Sequence, residues 1–268
     1  MSDSPPDLLE SLFVIPRDVP KTILRTALEL IYDVKSTGFE NIPQSGGAVL
    51  ISNHTDYLDI PVQAASAERK IVYLGKHELF HPQEELIKIL DMPGSPFQYP
   101  PLSFVKPWIS NALDVIGSIY KKNLVSWGSM PIIRNAANES EMDKKAALEY
   151  YEQLEGYMVD LLKQGEILSI YPEGTRTESG ALGPFKAMPA KLAIRAGVPI
   201  IPSAIQGAWK MSLPESFLSG KAFRAKIRYH IGKPILPKDF PTGPEKKAAK
   251  ELTEILEKEV RSILSTLD

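Results

Sequence analysis

The stretch ILSIYPEGTRTESGALGPFKAMPAKLAIRAGVPIIPSAI, residues 167–205, decides how the chain folds. ILSIYP (167–172) is a short apolar run of the kind that forms a buried strand. EGTRTESGALGPF (173–185) is rich in Gly, Ser and Thr and reads as a loop. KAMPAKLAIRAG (186–197) fits a helix closed by Gly197. VPIIPSAI (198–205) fits a second buried strand. Strand, helix, strand predicts a parallel βαβ unit. Upstream, AVLIS (48–52) and IVYLG (71–75) are further apolar runs, and PIIR (131–134) is a shorter one. Downstream, KIRYHIG (226–232) supplies another strand.

Helical spacing is found between these runs. Residues 22–34 carry apolar positions at Ile23, Leu24, Ala27, Leu28 and Ile31. Residues 54–67 read as a loop followed by a helix, and 108–125 hold a further helix. Residues 139–164 predict a long helix with Ala147, Tyr150, Leu154, Tyr157, Met158, Leu161 and Leu162 on one side. Residues 245–266 predict a terminal helix faced by Leu252, Ile255, Leu256, Val260, Ile263 and Leu264. The segment 91–107, with five prolines and three aromatics, reads as an irregular loop or lid. The expectation is a single α/β domain with a mixed, mostly parallel sheet flanked by helices. Its parts are an N-terminal helical segment over 1–37 and a domain over 38–268, with an extended insertion at about 81–130.

Composition removes several classes of function. The chain has 268 residues with 31 Lys+Arg, 33 Asp+Glu and a net charge of −2, so no global basic field exists to hold nucleic acid. It has no cysteine. Disulfides, thiolate zinc sites and cysteine nucleophiles are therefore excluded. No Gly-x-Ser-x-Gly elbow is present, which disfavours a serine hydrolase. The long uncharged runs Met92–Val105 and Ala196–Trp209 are shorter than the ~18 residues a spanning helix needs, and both carry prolines. No transmembrane helix is expected, and no secretory signal is read at the start of the chain.

Two clusters follow predicted strands, where open α/β sheets place ligands. The first is NHTDYLD (53–59). On an ideal helix, His54 and Asp59 stand about 500° apart, roughly 140° off-face. They meet only if His54 lies in the loop before the helix, with Thr55 or Asp56 as its cap. A carboxylate on one imidazole nitrogen frees the other to take a proton. The alternative is a surface histidine beside a capping aspartate. The second cluster is YPEGTR (171–176). Arg176 can fork onto a phosphate, Gly174 allows a tight turn, and Glu173 can orient Arg176 or bind a substrate hydroxyl. The alternative is an ordinary polar turn.

Taken together, these motifs resemble the glycerolipid acyltransferase family, whose best-known members are lysophosphatidic acid acyltransferases. The resemblance rests on His-x4-Asp after a strand and on Glu-Gly-Thr-Arg about 120 residues later. GFENIPQSGGAVLISNHTDYLD (38–59), GKHELF (75–80), PIIR (131–134) and VPIIPSAIQG (198–207) resemble further family segments in the same order. It implies that His54 is the general base and that Asp59 fixes its imidazole. It implies that Glu173, Gly174, Thr175 and Arg176 bind the acceptor, with Arg134 a second phosphate ligand and Lys76 and Lys186 weaker ones. The implied reaction moves a fatty acyl group from acyl-CoA or acyl-carrier protein to the free hydroxyl of lysophosphatidic acid, giving phosphatidic acid. Glycerol 3-phosphate, other lysolipids and amino-lipids are alternative acceptors. Esterase, thioesterase and non-catalytic lipid binding are the remote ones.

No cofactor and no metal is implied beyond the acyl-CoA or acyl-carrier-protein co-substrate. The implied location is cytoplasmic, with peripheral contact to a membrane. The chain departs from the family pattern at Asp56, often Ser in relatives, and at Ala187-Met188 after Phe185-Lys186. The stretch between GKHELF and PIIR is also long. His77, His81 and His230 read as structural or exposed. Trp108, Trp127 and Trp209 read as core residues.

Overall fold

Ala48, Val49, Leu50 and Ile51 are fully buried, as are Ile167 and Leu168. These two apolar runs are central strands covered on both faces, which is why their patterns do not alternate. The structure, a computed structural model, describes residues 13–133 and 143–267. In chain order its elements are α1 (Asp18–Ile31), β1 (Asp33–Thr37), β2 (Ala48–Ile51), α2 (Asp59–Ser66) and β3 (Ile71–Lys76). Then come α3 (Pro82–Asp91), α4 (Leu102–Ser126), β4 (Ser129–Ile132), α5 (Lys144–Lys163) and β5 (Ile167–Ile170). The last five are α6 (Met188–Ala196), β6 (Ile200–Gln206), α7 (Pro214–Leu218), β7 (Lys226–Ile231) and α8 (Glu245–Leu264). These residues divide into two units, 20–73 with 143–267 and 13–19 with 74–133.

In the larger unit the strand order is β1-β7-β6-β2-β5-β3. β2 runs parallel to both β5 and β6, with Leu50 opposite Ser169 on one side and Ile201 on the other. The helix α6 joins β5 to β6, so the expected βαβ crossover exists and passes over β2. β3 is parallel to β5. β7 is antiparallel to β6 and parallel to β1. The sheet is therefore mixed and mostly parallel. Alternate residues supply its two faces. Ala48 and Leu50 share a cluster with Leu28 of α1 and Val62 and Ala65 of α2. On the other layer, α8 packs on α6 and β6, and α5 packs on α6. Leu162, Leu192 and Leu252 are fully buried there. Gly47 belongs to this packing, since a Cβ at that position would stand 1.9 Å from the Leu162 carbonyl oxygen.

The smaller unit takes the second half of β3, with β4 next to it in the strand order. α4 packs against α3. Asn123 is buried in α4 and holds the incoming chain, accepting from the Ile15 N–H at 2.8 Å and donating to the Phe13 carbonyl at 3.0 Å. The Trp127 indole donates to the Ile15 carbonyl at 2.8 Å.

Several expectations are corrected. The helix expected over 22–34 stops at Ile31, and Asp33–Thr37 is a strand. Its sequence DVKST hides it because it is an edge strand, half-exposed and paired only with β7. The segment 91–107 is not irregular throughout, since α4 begins at Leu102 and contains Pro107. Pro107 sits near the helix start, where it removes a single intrahelical bond. α3 (Pro82–Asp91) is not among the helices expected from the sequence. On α5 the buried residues are Ala147, Met158, Val159 and Leu162, while Tyr157 is exposed. On α8, Ile255 is exposed. Trp108 is not a core residue, being 79% exposed, and Trp209 is 37% exposed. Residues 139–142 and Arg134 lie outside the described residues.

Candidate active site

Since β2, β5 and β6 run in parallel, the segments leaving their carboxyl ends emerge along one edge of the sheet. After β2, the chain is first pinned to β6. The Asn53 carboxamide donates to the Ile205 carbonyl at 2.9 Å and accepts from the Ile205 N–H at 2.8 Å. It thereby continues the ladder with a side chain after the strand has ended. His54 follows and lies in the loop, five residues before Asp59 opens α2.

The loop is shaped around the Asp59 carboxylate, which is fully buried. Oδ2 accepts from the backbone N–H of Thr55 at 2.6 Å and of Asp56 at 2.9 Å, and Oδ1 from the Thr55 hydroxyl at 3.1 Å. His54 Nδ1 is 2.8 Å from Oδ2. Every one of these partners is a donor. Nδ1 accordingly carries the ring hydrogen, and Nε2 is left with its lone pair. Neither Thr55 nor Asp56 is the helix cap. That position belongs to Leu58, whose N–H donates to Asp56 Oδ1 at 3.0 Å.

The β5–α6 loop fixes the rest of His54. Glu173 Oε1 accepts from the His54 N–H at 2.7 Å, and the Thr177 N–H donates to the His54 carbonyl at 2.8 Å. Glu173 Oε2 accepts from the Gly183 N–H at 2.8 Å. Glu173 thus ties the histidine loop to its own loop. It does not orient Arg176. Burial pushes the Glu173 carboxyl above its ordinary pKa, and the two backbone donors oppose that rise. The imidazole lies on the Tyr171 ring, with centroids 4.1 Å apart and planes 19° from parallel. The Tyr171 hydroxyl is buried with no hydrogen-bond partner among the described residues. Burial raises its pKa well above the ordinary value.

Gly174 adopts a φ of +77°, and a Cβ there would stand 2.5 Å from Lys186 Nζ. The turn therefore admits only glycine without strain. Lys186 closes the base of the loop, its N–H donating to the Pro172 carbonyl at 2.8 Å. The Arg176 guanidinium lies 3.5 Å over the centre of the Tyr57 ring. Thr175 and Arg176 line a cavity of about 470 Å³ together with Thr55, Asp56 and Lys210. A second cavity, about 450 Å³, is lined by Asn53, Thr55, Leu182, Trp209 and Leu264 among others. The structure brings together His54, Asp59, Glu173, Gly174, Thr175, Arg176 and Lys186. Lys76 ends β3 in the smaller unit and is exposed. Among the described residues, no cluster of three or more His, Cys, Asp or Glu could hold a metal ion.

Sequence reasoning missed Asn53, Tyr171, Thr177, Gly183 and Lys210. Asn53 and Tyr171 sit in the quoted motifs, directly beside residues that were assigned. The other three act through backbone or tertiary position and left no signal.

Fold and site together define an α/β enzyme with a histidine–carboxylate pair at the carboxyl edge of its parallel strands. The chain belongs to the acyltransferase family, whose model matches residues 33–92 and 106–206. It is similar to the 1-acyl-sn-glycerol-3-phosphate acyltransferase of Bacillus subtilis (strain 168), at 26% identity over 246 residues, covering 91% of this chain and 95% of that one. It is also similar to the chloroplastic 1-acyl-sn-glycerol-3-phosphate acyltransferase BAT2 of Brassica napus, at 27% identity over 205 residues. That match covers 76% of this chain but only 45% of the plant protein. The fold is similar to the crystal structure of the 1-acyl-sn-glycerophosphate acyltransferase PlsC from Thermotoga maritima. The TM-score is 0.52 at 20% identity, covering 92% of this chain and 80% of that one.

Proposed function

We propose that the chain transfers a fatty acyl group from an acyl thioester, acyl-CoA or acyl-carrier protein, to the free hydroxyl of lysophosphatidic acid. The product is phosphatidic acid, so the enzyme serves phospholipid biosynthesis. The 2.8 Å contact between His54 Nδ1 and Asp59 carries the mechanistic part of this reading. The names of the Bacillus and Brassica relatives support the acceptor.

His54 Nε2 takes the proton of the acceptor hydroxyl as the oxygen attacks the thioester carbonyl carbon. The new C–O bond forms, the C–S bond breaks, and the thiolate leaves with the proton held by the imidazolium. General-base help of this kind is typically worth ~10²–10⁴ in rate. Asp59 holds the ring and the tautomer. Glu173 and Thr177 hold the histidine backbone, and Tyr171 supports the ring face. Arg176 supplies a fork for the acceptor phosphate, with Thr175 and Gly174 shaping its loop. Lys186 has a weaker part in this reading, as do Lys76 and Arg134, which enter from the resemblance alone.

The acceptor is a lipid, so peripheral contact with a membrane belongs to the same reading. No helix among the described residues is long and apolar enough to cross a membrane. Tyr99, Phe104 and Trp108 in the smaller unit are 61%, 73% and 79% exposed, an aromatic set suited to a lipid surface. The residues between the two matched family segments, 93–105, include two of them.

The test is product formation from a labelled acyl donor. Lysophosphatidic acid and glycerol 3-phosphate are offered separately to the wild type and to His54→Ala. Phosphatidic acid made by the wild type and lost in the variant is the expected result. Strong preference for glycerol 3-phosphate would overturn the acceptor. Fatty acid release without any acceptor would overturn the transfer reaction.

A further inference from the structure

We propose that Lys210 is a specificity residue. Its ammonium and the Arg176 guanidinium form a two-cation seat for the phosphate monoester of the acceptor. The inference rests on the acyl-transfer reading for its ligand, but its observations are independent of His54.

Lys210 follows β6, the third parallel strand whose carboxyl end opens on the site edge. It is the one non-glycine residue with positive φ among the described residues, at 61°. A lysine gains nothing locally from that left-handed conformation, and such strain collects at functional sites. Here the strain is held by specific bonds. The buried Ser216 hydroxyl donates to the Lys210 carbonyl at 2.7 Å, and the Leu213 N–H donates to it at 3.3 Å. The ammonium rests 4.4 Å over the Trp209 ring centre. Trp209 itself lies against Gly180, where a Cβ would stand 2.9 Å from the indole.

Lys210 and Arg176 line the same cavity of about 470 Å³. Each is seated on an aromatic face. Asp56 and Glu178 line it too, yet neither cation forms an ion pair or hydrogen bond with them or with any other described residue. Asp56 is turned toward the Leu58 N–H. Stacking on a ring leaves the in-plane N–H groups of a guanidinium and the three hydrogens of an ammonium free for another partner. A planar fork and a point charge lining one cavity suit a doubly charged phosphate monoester better than a carboxylate or a neutral hydroxyl.

The test compares the wild type with Lys210→Gly and Lys210→Arg. Glycine takes positive φ freely, so Lys210→Gly removes the ammonium without imposing new strain. Steady-state kinetics are run with lysophosphatidic acid varied at saturating donor, and then with the donor varied. Lys210→Gly is expected to raise the acceptor KM roughly tenfold, the loss of about one charge-assisted hydrogen bond. Its kcat stays within about twofold, its donor KM is unchanged, and its thermal midpoint is not lowered. Lys210→Arg keeps the acceptor KM within about threefold.

An unchanged acceptor KM in Lys210→Gly overturns the proposal, and so does a rise confined to the donor KM, which would mean a phosphate of the donor. A second arm needs no turnover. Glycerol 3-phosphate and inorganic phosphate are each expected to raise the wild-type thermal midpoint, by mass action, and to do so less in Lys210→Gly. If the wild type acylates no lysophosphatidic acid but shows this shift and its loss, the seat stands and the reaction reading falls. Equal shifts in the two proteins overturn the seat.

Discussion

His54 is held at five points, and each contact predicts a different phenotype. Its ring nitrogen binds Asp59, its N–H binds Glu173, its carbonyl takes the Thr177 N–H, its ring lies on Tyr171, and Asn53 anchors the preceding peptide. Replacing His54 by Ala is expected to lower kcat by ~10²–10⁴. Tyr171→Phe keeps the ring and removes a buried hydroxyl that has no partner. It should leave activity intact and raise stability by up to about 1 kcal/mol. Tyr171→Leu should cost activity, since the imidazole loses its platform. Equal activity in the two Tyr171 variants would show that the stack does not matter. In Glu173→Gln, the carboxamide must turn its NH2 toward one of two backbone N–H groups. A donor then faces a donor, and a loss of about 1–3 kcal/mol follows. Glu173 also carries a pH signature. Its folded pKa lies above the unfolded value, so between the two the folded state binds more protons. Its contribution is fully present below the unfolded pKa and is lost as pH rises through the folded one. The stability of the wild type relative to Glu173→Gln should therefore decline as pH rises just above the ordinary carboxylate range. Urea titrations at several pH values read this directly.

At the scale of elements, the helices on one layer of the larger unit are joined by charge as well as by packing. Glu155 of α5 pairs with Lys191 at 2.6 Å and Arg195 at 3.1 Å, both on α6, and Arg195 reaches Glu245 of α8 at 3.0 Å. These groups are partly exposed, so Glu155→Ala is expected to cost only about 1 kcal/mol, and less at high salt. A urea titration with and without salt checks this. In the smaller unit, α4 turns Phe104 and Trp108 toward solvent. Flotation of wild type and a Phe104→Ser/Trp108→Ser double variant with liposomes is the measurement for that element. The double variant should float several-fold less while keeping its fold, because it replaces exposed rings and no buried contact.

For the whole molecule, a net charge of −2 gives no general attraction to anionic lipid. Binding to neutral phosphatidylcholine vesicles is accordingly expected to match binding to phosphatidylglycerol-containing vesicles within about twofold, with little dependence on salt. A steep salt dependence would mean that a local basic patch dominates. The family model spans most of both units but leaves 93–105 unmatched. The exposed aromatics around that gap are thus a property of this chain to be measured rather than inherited. The Bacillus relative is covered almost from end to end, at 95%, whereas the Brassica protein has more than half its length beyond this match.

Much of this protein was legible in one dimension. Apolar runs marked β2, β3, β5 and β6, because strands buried on both faces must be apolar along their length, whereas KIRYHI of β7 alternates and buries one side. The order strand–helix–strand implied the parallel crossover, and His-x4-Asp implied its own loop, since helical geometry would separate the pair. Other features depended on partners far away in the chain. β1 is polar because only one edge is paired, and its partner lies more than 190 residues on. The face of α5 depended on where α6 came to rest. Both Glu173 oxygens went to backbone donors that no side-chain pattern announces. Lys210 shares a cavity with Arg176 only because β5 and β6 run parallel on either side of β2. Local composition encodes burial and periodicity. Which loop ends converge, and on which atoms, is decided by the register of the sheet.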